Sequence, residues 1–335
     1  MTPAAPPPPA RPAGDTRRGA LVLSLDFELH WGVFDVQPVD GPYRSSLVGE
    51  REAVPRLLEI FEEHGIAATW ATVGLLMARS KTEVREVEPS TRPRYANPAL
   101  SAYTVETGEG EADDPLHYAP SLVDRIARVP RQELATHTFS HYYCREPGQT
   151  RDDFAADLRA AAALFARRRL PMRSIVFPRN QHNSAYDGVL REAGIVACRG
   201  NPRGWMHRPV PLRGETRLLR VARRLDGALP LAGGHTYGWE TLGRGSPPYD
   251  VPASFFLRFD PFSLARTERG VREAGRRGRV VHVWCHPHNF GVGLGPKLSR
   301  LRALLAVHRE CAERWGMQSL TMAETADAAA RAHAE

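Results

Sequence analysis

The first apolar run in the chain, Ala20-Leu21-Val22-Leu23-Ser24-Leu25, predicts a strand, and it ends on Asp26-Phe27-Glu28. From Ala53 to His64 the period changes: Val54, Leu57, Leu58 and Phe61 recur at helical spacing, and Gly65 follows as a C-cap. A second strand is expected over Ile66 to Val73. The alternation continues with a strand end at Glu133-Leu134-Ala135, a helix from Asp152 to Arg168, a strand from Ser174 to Phe177, a helix from Tyr186 to Ala193 stopped by Gly194, and a strand from Ile195 to Cys198. Farther on, Arg279 to Cys285 reads as a strand, Lys297 to Trp315 as a long helix and Gln318 to Leu320 as a last strand. Repeated strand-helix units imply a parallel sheet covered by helices.

Two stretches break this rhythm. Ser80 to Pro120 is acidic and rich in Pro and Gly, and Gly200 to Pro261 is rich in Gly, Pro, Arg and Trp. Loops of that length inside a compact domain are usually lids or partly disordered. In a β/α barrel they gather at the C-terminal ends of the strands and can wall a substrate site. The expected organisation is a Pro/Ala-rich disordered tail over 1–18, one domain over 19–325 with insertions at about 80–120 and 200–261, and a C-terminal tail over 326–335.

Composition narrows the partners. The formal charge of +7 comes from arginines scattered along the chain, such as Arg167-Arg168-Arg169 and Arg276-Arg277, without a basic stripe interleaved with aromatics. Nucleic acid is therefore not expected as a partner, whereas an anionic small molecule is compatible with the charge. Cys144, Cys198, Cys285 and Cys311 show no short paired spacing and read as free buried thiols. Arg17-Arg18 precede an apolar run too short for a secretion signal, and no stretch is long enough to span a bilayer. A cytoplasmic location is the expectation.

The candidate chemistry begins with His137 and His141 in Thr136-His137-Thr138-Phe139-Ser140-His141, just after a strand end. Two imidazoles four apart can converge on one ion; the same spacing also arises at a helix start or from a ring satisfied by backbone. Asp26 and Glu28, two apart, project to the same face of an extended strand. A carboxylate joining two imidazoles leaves a metal open to water, and zinc suits such a set, with cobalt, nickel or iron also fitting. Near the far end, strand alternation places His282, Trp284 and His286 on one face, and His288 follows beyond Pro287.

Three stations, Ser24-Leu25-Asp26-Phe27-Glu28, Thr136 to His141 and Val283-Trp284-Cys285-His286-Pro287-His288, occur in the order of the polysaccharide deacetylase (NodB-homology) superfamily, carbohydrate esterase family four, which this chain resembles over about residues 19–325. The resemblance implies a distorted, incomplete (β/α) barrel of the α/β class housing a metal-dependent amide or ester hydrolase. It also implies Glu28, His137 and His141 as metal ligands, Asp26 as general base, and His286 as the acid that protonates the leaving group. The reverse assignment, Asp26 on the metal and Glu28 as base, stays open, as does His288 in place of His286. Where members commonly carry Arg-x-Pro-x-Gly, this chain has Phe177-Pro178-Arg179-Asn180-Gln181-His182-Asn183, with Arg179 displaced from the position of the arginine that orients the aspartate. Arg179 and Asn180, together with Trp31 as a ring-stacking surface and His288, are the candidates for binding substrate; Arg199, Trp205 and His235 are weaker ones. The implied reaction removes an N-acyl group, N-acetyl first among the choices, from an amino sugar, soluble or lipid-linked. Deformylation, O-ester cleavage, cyclic amide opening, and a non-catalytic glycan-binding module are the alternatives.

Overall fold

The computed structural model describes residues 15–203, 207, 216, 218, 235–242 and 246–334. Its centre is β1 (Ala20–Phe27), buried along its whole length. The other strands are β2 (Ala68–Thr72), β3 (Gln132–Thr136), β4 (Ser174–Val176), β5 (Ala197–Arg199), β6 (Tyr249–Asp250), β7 (Phe255–Phe256), β8 (Val280–Cys285) and β9 (Gln318–Leu320). They form one sheet in the order β6-β5-β4-β3-β2-β1-β8-β7, with β9 added against β1. Every pairing is parallel. β1 serves three partners: its first residues, Ala20 to Val22, pair with β9, Ser24 to Phe27 pair with β2, and Ala20 to Leu25 pair with β8.

The sheet curls until its two ends meet on one extended segment. The amides of Val251 and Ala253 donate to the carbonyls of Cys198 and Gly200, and those of Ser254 and Leu257 donate to His282 and Trp284. The alternation predicted the parallel sheet, and the distorted, incomplete barrel is the one the family resemblance implied, with every strand's C-terminal end on one side.

Alternation along β1 divides two cores. Leu21, Leu23, Leu25 and Phe27 join the outer core, where α1 (Arg44–Glu63) presents Val54, Leu57, Leu58 and Phe61. Ala20 and Val22 join an inner core with Val176, Ala197, Tyr237, Val251, Val280 and Leu320. Burying each large aliphatic or aromatic side chain is worth about 1.5–3 kcal/mol, and a slip of one residue would exchange the two faces. Register is thus held by the leucines, and Ser24 and Asp26 are left on the inner face above the apolar layer.

Helices cover the outside: α2 (Gly74–Met77), α3 (Lys81–Val87), α4 (Pro120–Arg128), α5 (Arg151–Arg167), α6 (Asp187–Glu192), α7 (Pro261–Arg277), α8 (Leu294–Trp315) and α9 (Met322–Ala334). Their ends carry ordinary signals. Thr150 and Asp153 form a capping box for α5, and Asp260 caps α7, which stops at left-handed Gly278. α1 starts at Arg44, well before the expected Ala53, and passes through Pro55.

Two boundaries and one loop differ from expectation. The C-terminal tail expected over 326–335 lies mostly in α9, because its alanines favour helix and Ala326, Ala328 and Ala329 are buried in the inner core. Asp15 to Arg18, expected to be disordered, form a turn in which the Asp15 amide donates to Gln318 Oε1 and Gln318 Nε2 donates to the Asp15 carbonyl; residues 1–14 lie outside the described residues. The insertion at 80–120 is built around α3 and short 3-10 turns, and its Tyr95 hydroxyl accepts from the Tyr143 amide. Of the second insertion, only 200–203, 207, 216, 218, 235–242 and 246–261 are described.

Candidate metal centre and its neighbours

β1 ends at Asp26 and Glu28, β3 at His137, β5 at Arg199 and β8 at His286, all on the C-terminal rim. The Nε2 atoms of His137 and His141 lie 3.2 and 3.3 Å from Glu28 Oε2. Donors about 2.1 Å from a tetrahedral ion stand about 3.4 Å apart, so this set fits a divalent cation of zinc size. The outer nitrogens are already engaged, as ligating histidines require: His137 Nδ1 donates to the Val176 carbonyl at 2.8 Å, and His141 Nδ1 meets the Tyr143 hydroxyl at 3.2 Å. All three side chains are buried. Burial would raise the Glu28 carboxyl, but His286 and the hydrogen bonds from His137 and His141 hold it well below the usual range; burial lowers His141.

The loop that presents these histidines is clamped. Thr138 and His141 adopt left-handed backbone, with φ of 64° and 54°. Asp157 on α5 accepts from the Phe139 amide at 2.7 Å, the Ser140 amide at 3.1 Å and the Ser140 hydroxyl, while the Tyr142 amide donates to Thr138 Oγ1. Burial pushes the Asp157 carboxyl up to about 6 against these bonds. Gly32 is required next to Glu28: a Cβ there would collide with Glu28 Oε1.

Asp26 sits beside this set in a polar layer. Arg199 donates through Nη1 and Nη2 to its two oxygens, both at 2.6 Å, and the pair is 1% and 3% exposed. Arg199 also donates to Ser24 Oγ at 3.0 Å and Asn180 Oδ1 at 3.1 Å, and its guanidinium lies 4.3 Å from the Trp284 ring centre. Ser24 in turn meets His282 Nε2 at 2.8 Å. Because His282 Nδ1 donates to the Val251 carbonyl, the neutral ring leaves Nε2 to accept from the serine hydroxyl. Burial and the nearby Arg199 keep that ring neutral, its pKa held at about 3. For Asp26, burial works to raise the carboxyl and Arg199 outweighs it, with help from His137 and His286, so it stays below the ordinary range.

His286 completes the rim. Its Nε2 is 3.4 Å from Glu28 Oε1 and 3.8 Å from Asp26 Oδ2, at a fifth exposed the most open of these side chains. His288 stacks on it, ring centres 4.6 Å apart and 18° from parallel. Behind His288, its Nδ1 faces Glu50 Oε2 of α1 at 3.8 Å. α1 comes this close because Gly49 lies directly against the Gly291 carbonyl, where a Cβ would not fit. Burial, and then the negative charge of Glu28, push Glu50 well above the ordinary carboxylate range; burial holds His288 down at about 3.

Sequence-predicted residues divide accordingly. Asp26, Glu28, His137, His141 and His286 come together, and His288 stacks behind His286. Arg179 does not reach Asp26: it bonds both oxygens of Asp35 at 2.7 Å and lies over the Tyr143 ring. Left-handed backbone at Arg179 and Asn180 turns the first side chain away and gives the second to Arg199. Both are therefore committed within the protein. Trp31, expected as a ring-stacking surface, is in the outer core instead, with Nε1 donating to the His117 carbonyl. His235 packs edge-on to Phe255, and Trp205 lies outside the described residues. The residue underrated from sequence is Arg199. An arginine closing a short apolar strand needs a buried partner, which was the available signal. Glu50 had none, since its helix was expected to begin after it.

A family model for polysaccharide deacetylase matches residues 33–198, a span that includes both histidines of the Glu28 set but neither Asp26 nor His286. No curated protein matches the chain. Among solved structures, a Mycobacterium smegmatis protein provisionally named a polysaccharide deacetylase aligns over 100% of this chain and 96% of its own at 18% identity, with a TM-score of 0.60. The allantoinase PuuE aligns over 98% of this chain and 96% of its own at 10% identity, with a TM-score of 0.56. At these identities the likeness is one of fold.

Proposed function

With residues 33–198 matching the polysaccharide deacetylase family as the premise, we propose that this chain is a metal-dependent hydrolase that removes an N-acyl group, N-acetyl above all, from an amino sugar carried on a soluble or lipid-linked precursor. The observation that carries it is the convergence of His137 Nε2 and His141 Nε2 on one oxygen of Glu28, beside an Asp26 clamped by Arg199. Glu28, His137 and His141 would hold a divalent cation, zinc or one of its near neighbours, which supplies an acidified water and polarises a carbonyl. Asp26, kept ionised and aimed by Arg199, takes the proton of the attacking water. His286, facing both Asp26 and Glu28 within 4 Å, donates a proton to the departing nitrogen, whose anion would be too basic to leave unaided.

The test starts with metal. Elemental mass spectrometry of protein purified without added metal should find about one equivalent of a transition metal per chain, lost in His137→Ala. Acetate release from N-acetylated amino sugars and their nucleotide-linked forms should then depend on that metal and fall by about 100-fold or more in Asp26→Asn. A chain that takes up no zinc, cobalt or nickel when supplied with them would sink the hydrolase and leave a glycan-binding module.

A further inference from the structure

Glu28 has two sides. Its Oε2 faces His137 and His141, while Oε1 faces the other way, 3.4 Å from His286 Nε2. One ligand atom from each of Glu28, His286 and His288 lies within 4.8 Å of the others. His288 is 5% exposed and Glu50 is fully buried. Neither oxygen of Glu50 accepts a hydrogen bond of ordinary geometry, with only a loose approach from the Leu29 amide, and Nδ1 of both His286 and His288 is also without a partner. Buried polar groups are almost always satisfied, and buried carboxylates are paired or serve a metal. Three neighbouring groups, the Glu50 carboxylate and the two imidazoles, leave this requirement unmet together beside Glu28.

We propose that Glu28 Oε1, His286 and His288 form a second divalent-cation position, sharing Glu28 with the first. Glu50 is the carboxylate behind His288: accepting from Nδ1, it would turn Nε2 toward the ion, as outer carboxylates do for ligating histidines. Two nitrogens and an oxygen suit zinc or cobalt. Resting on the proposed reaction, the consequence is inhibition, because a coordinated His286 has no proton to give. The second position would fill only when metal is in excess, so that the ion the reaction needs would, at higher concentration, stop it.

Cobalt(II) is the probe. The full chain is stripped with chelator and dialysed to equilibrium against Co2+, and bound metal is counted by elemental mass spectrometry. Wild type should bind two equivalents, His288→Ala one and His137→Ala one. One equivalent in both wild type and His288→Ala, or two in both, overturns the second position and leaves the first intact. Equal counts in wild type and His137→Ala would instead refute the first. Glu50→Gln, nearly isosteric, should weaken only the second equivalent by about 10–100-fold. Should His288→Ala fail to fold, an unchanged affinity in Glu50→Gln overturns the proposal.

Discussion

Replacing Arg199 with methionine keeps most of the side-chain volume and removes both hydrogen bonds to Asp26, leaving a carboxylate that is 3% exposed without its arginine partner. Breaking a buried pair from one side costs about 3–5 kcal/mol, whereas replacing both partners is often close to neutral. The bonds from Arg199 to Ser24 and Asn180 and its contact with Trp284 are lost in the single and the double variant alike, so a cycle with Asp26→Asn cancels them. Urea unfolding at pH 7 in chelator should show Arg199→Met destabilised by about 3–5 kcal/mol, with a coupling of about 2–3 kcal/mol recovered in the double variant. The pH dependence gives a second check. In wild type the Asp26 pKa is lowered, so its contribution is present above the unfolded value of 3.8 and is lost as pH falls through the folded one. In Arg199→Met burial acts unopposed by the guanidinium and raises that pKa, so protonation relieves the variant and its deficit narrows toward acid pH. A deficit under about 1 kcal/mol, or strictly additive energies, would refute the reasoning.

Other outcomes follow from the same geometry. His282 and His288, both near pKa 3 when folded, take up protons near 6.5 only when unfolded, so their support is complete above about 6.5 and lost progressively down to about 3. Urea midpoints should fall across that window, and His282→Gln should reduce the slope by about one proton. Zinc at about 100 times its dissociation constant should stabilise wild type by about 2.7 kcal/mol in thermal or urea unfolding, and His137→Ala should show little of this. Asp157→Ala strands the buried Phe139 and Ser140 amides, so a loss of about 1–3 kcal/mol per amide is expected, with metal affinity down about 10-fold by chelator competition.

What could be read beforehand was what local pattern controls. The leucines of β1 placed Asp26 on the inner face, and residue spacing brought His137 and His141 to one ion-sized gap. α7 went unread because it lay at and beyond the edge of a stretch judged irregular, although Asp260, Pro261 and Gly278 punctuate it. Arg199 lay beyond local pattern for a different reason. Its partner is 173 positions away, and the arginine nearest the family's pattern, Arg179, is sent to Asp35 by its left-handed backbone. Glu50 required knowing that α1 runs back to Arg44 and that two glycines, Gly49 and Gly291, let it touch the His286–His288 loop.

The three-way pairing of β1 has a temporal meaning. On a ribosome, this strand is made long before two of its partners, residues 280–285 and 318–320. Until they arrive, the backbone groups along one side of β1 have no sheet to join, and contacts of such sequence separation form slowly. Asp26 and Glu28 therefore cannot meet His286 until that distant strand has emerged, and catalytic competence would serve as a reporter that β1 and β8 have paired.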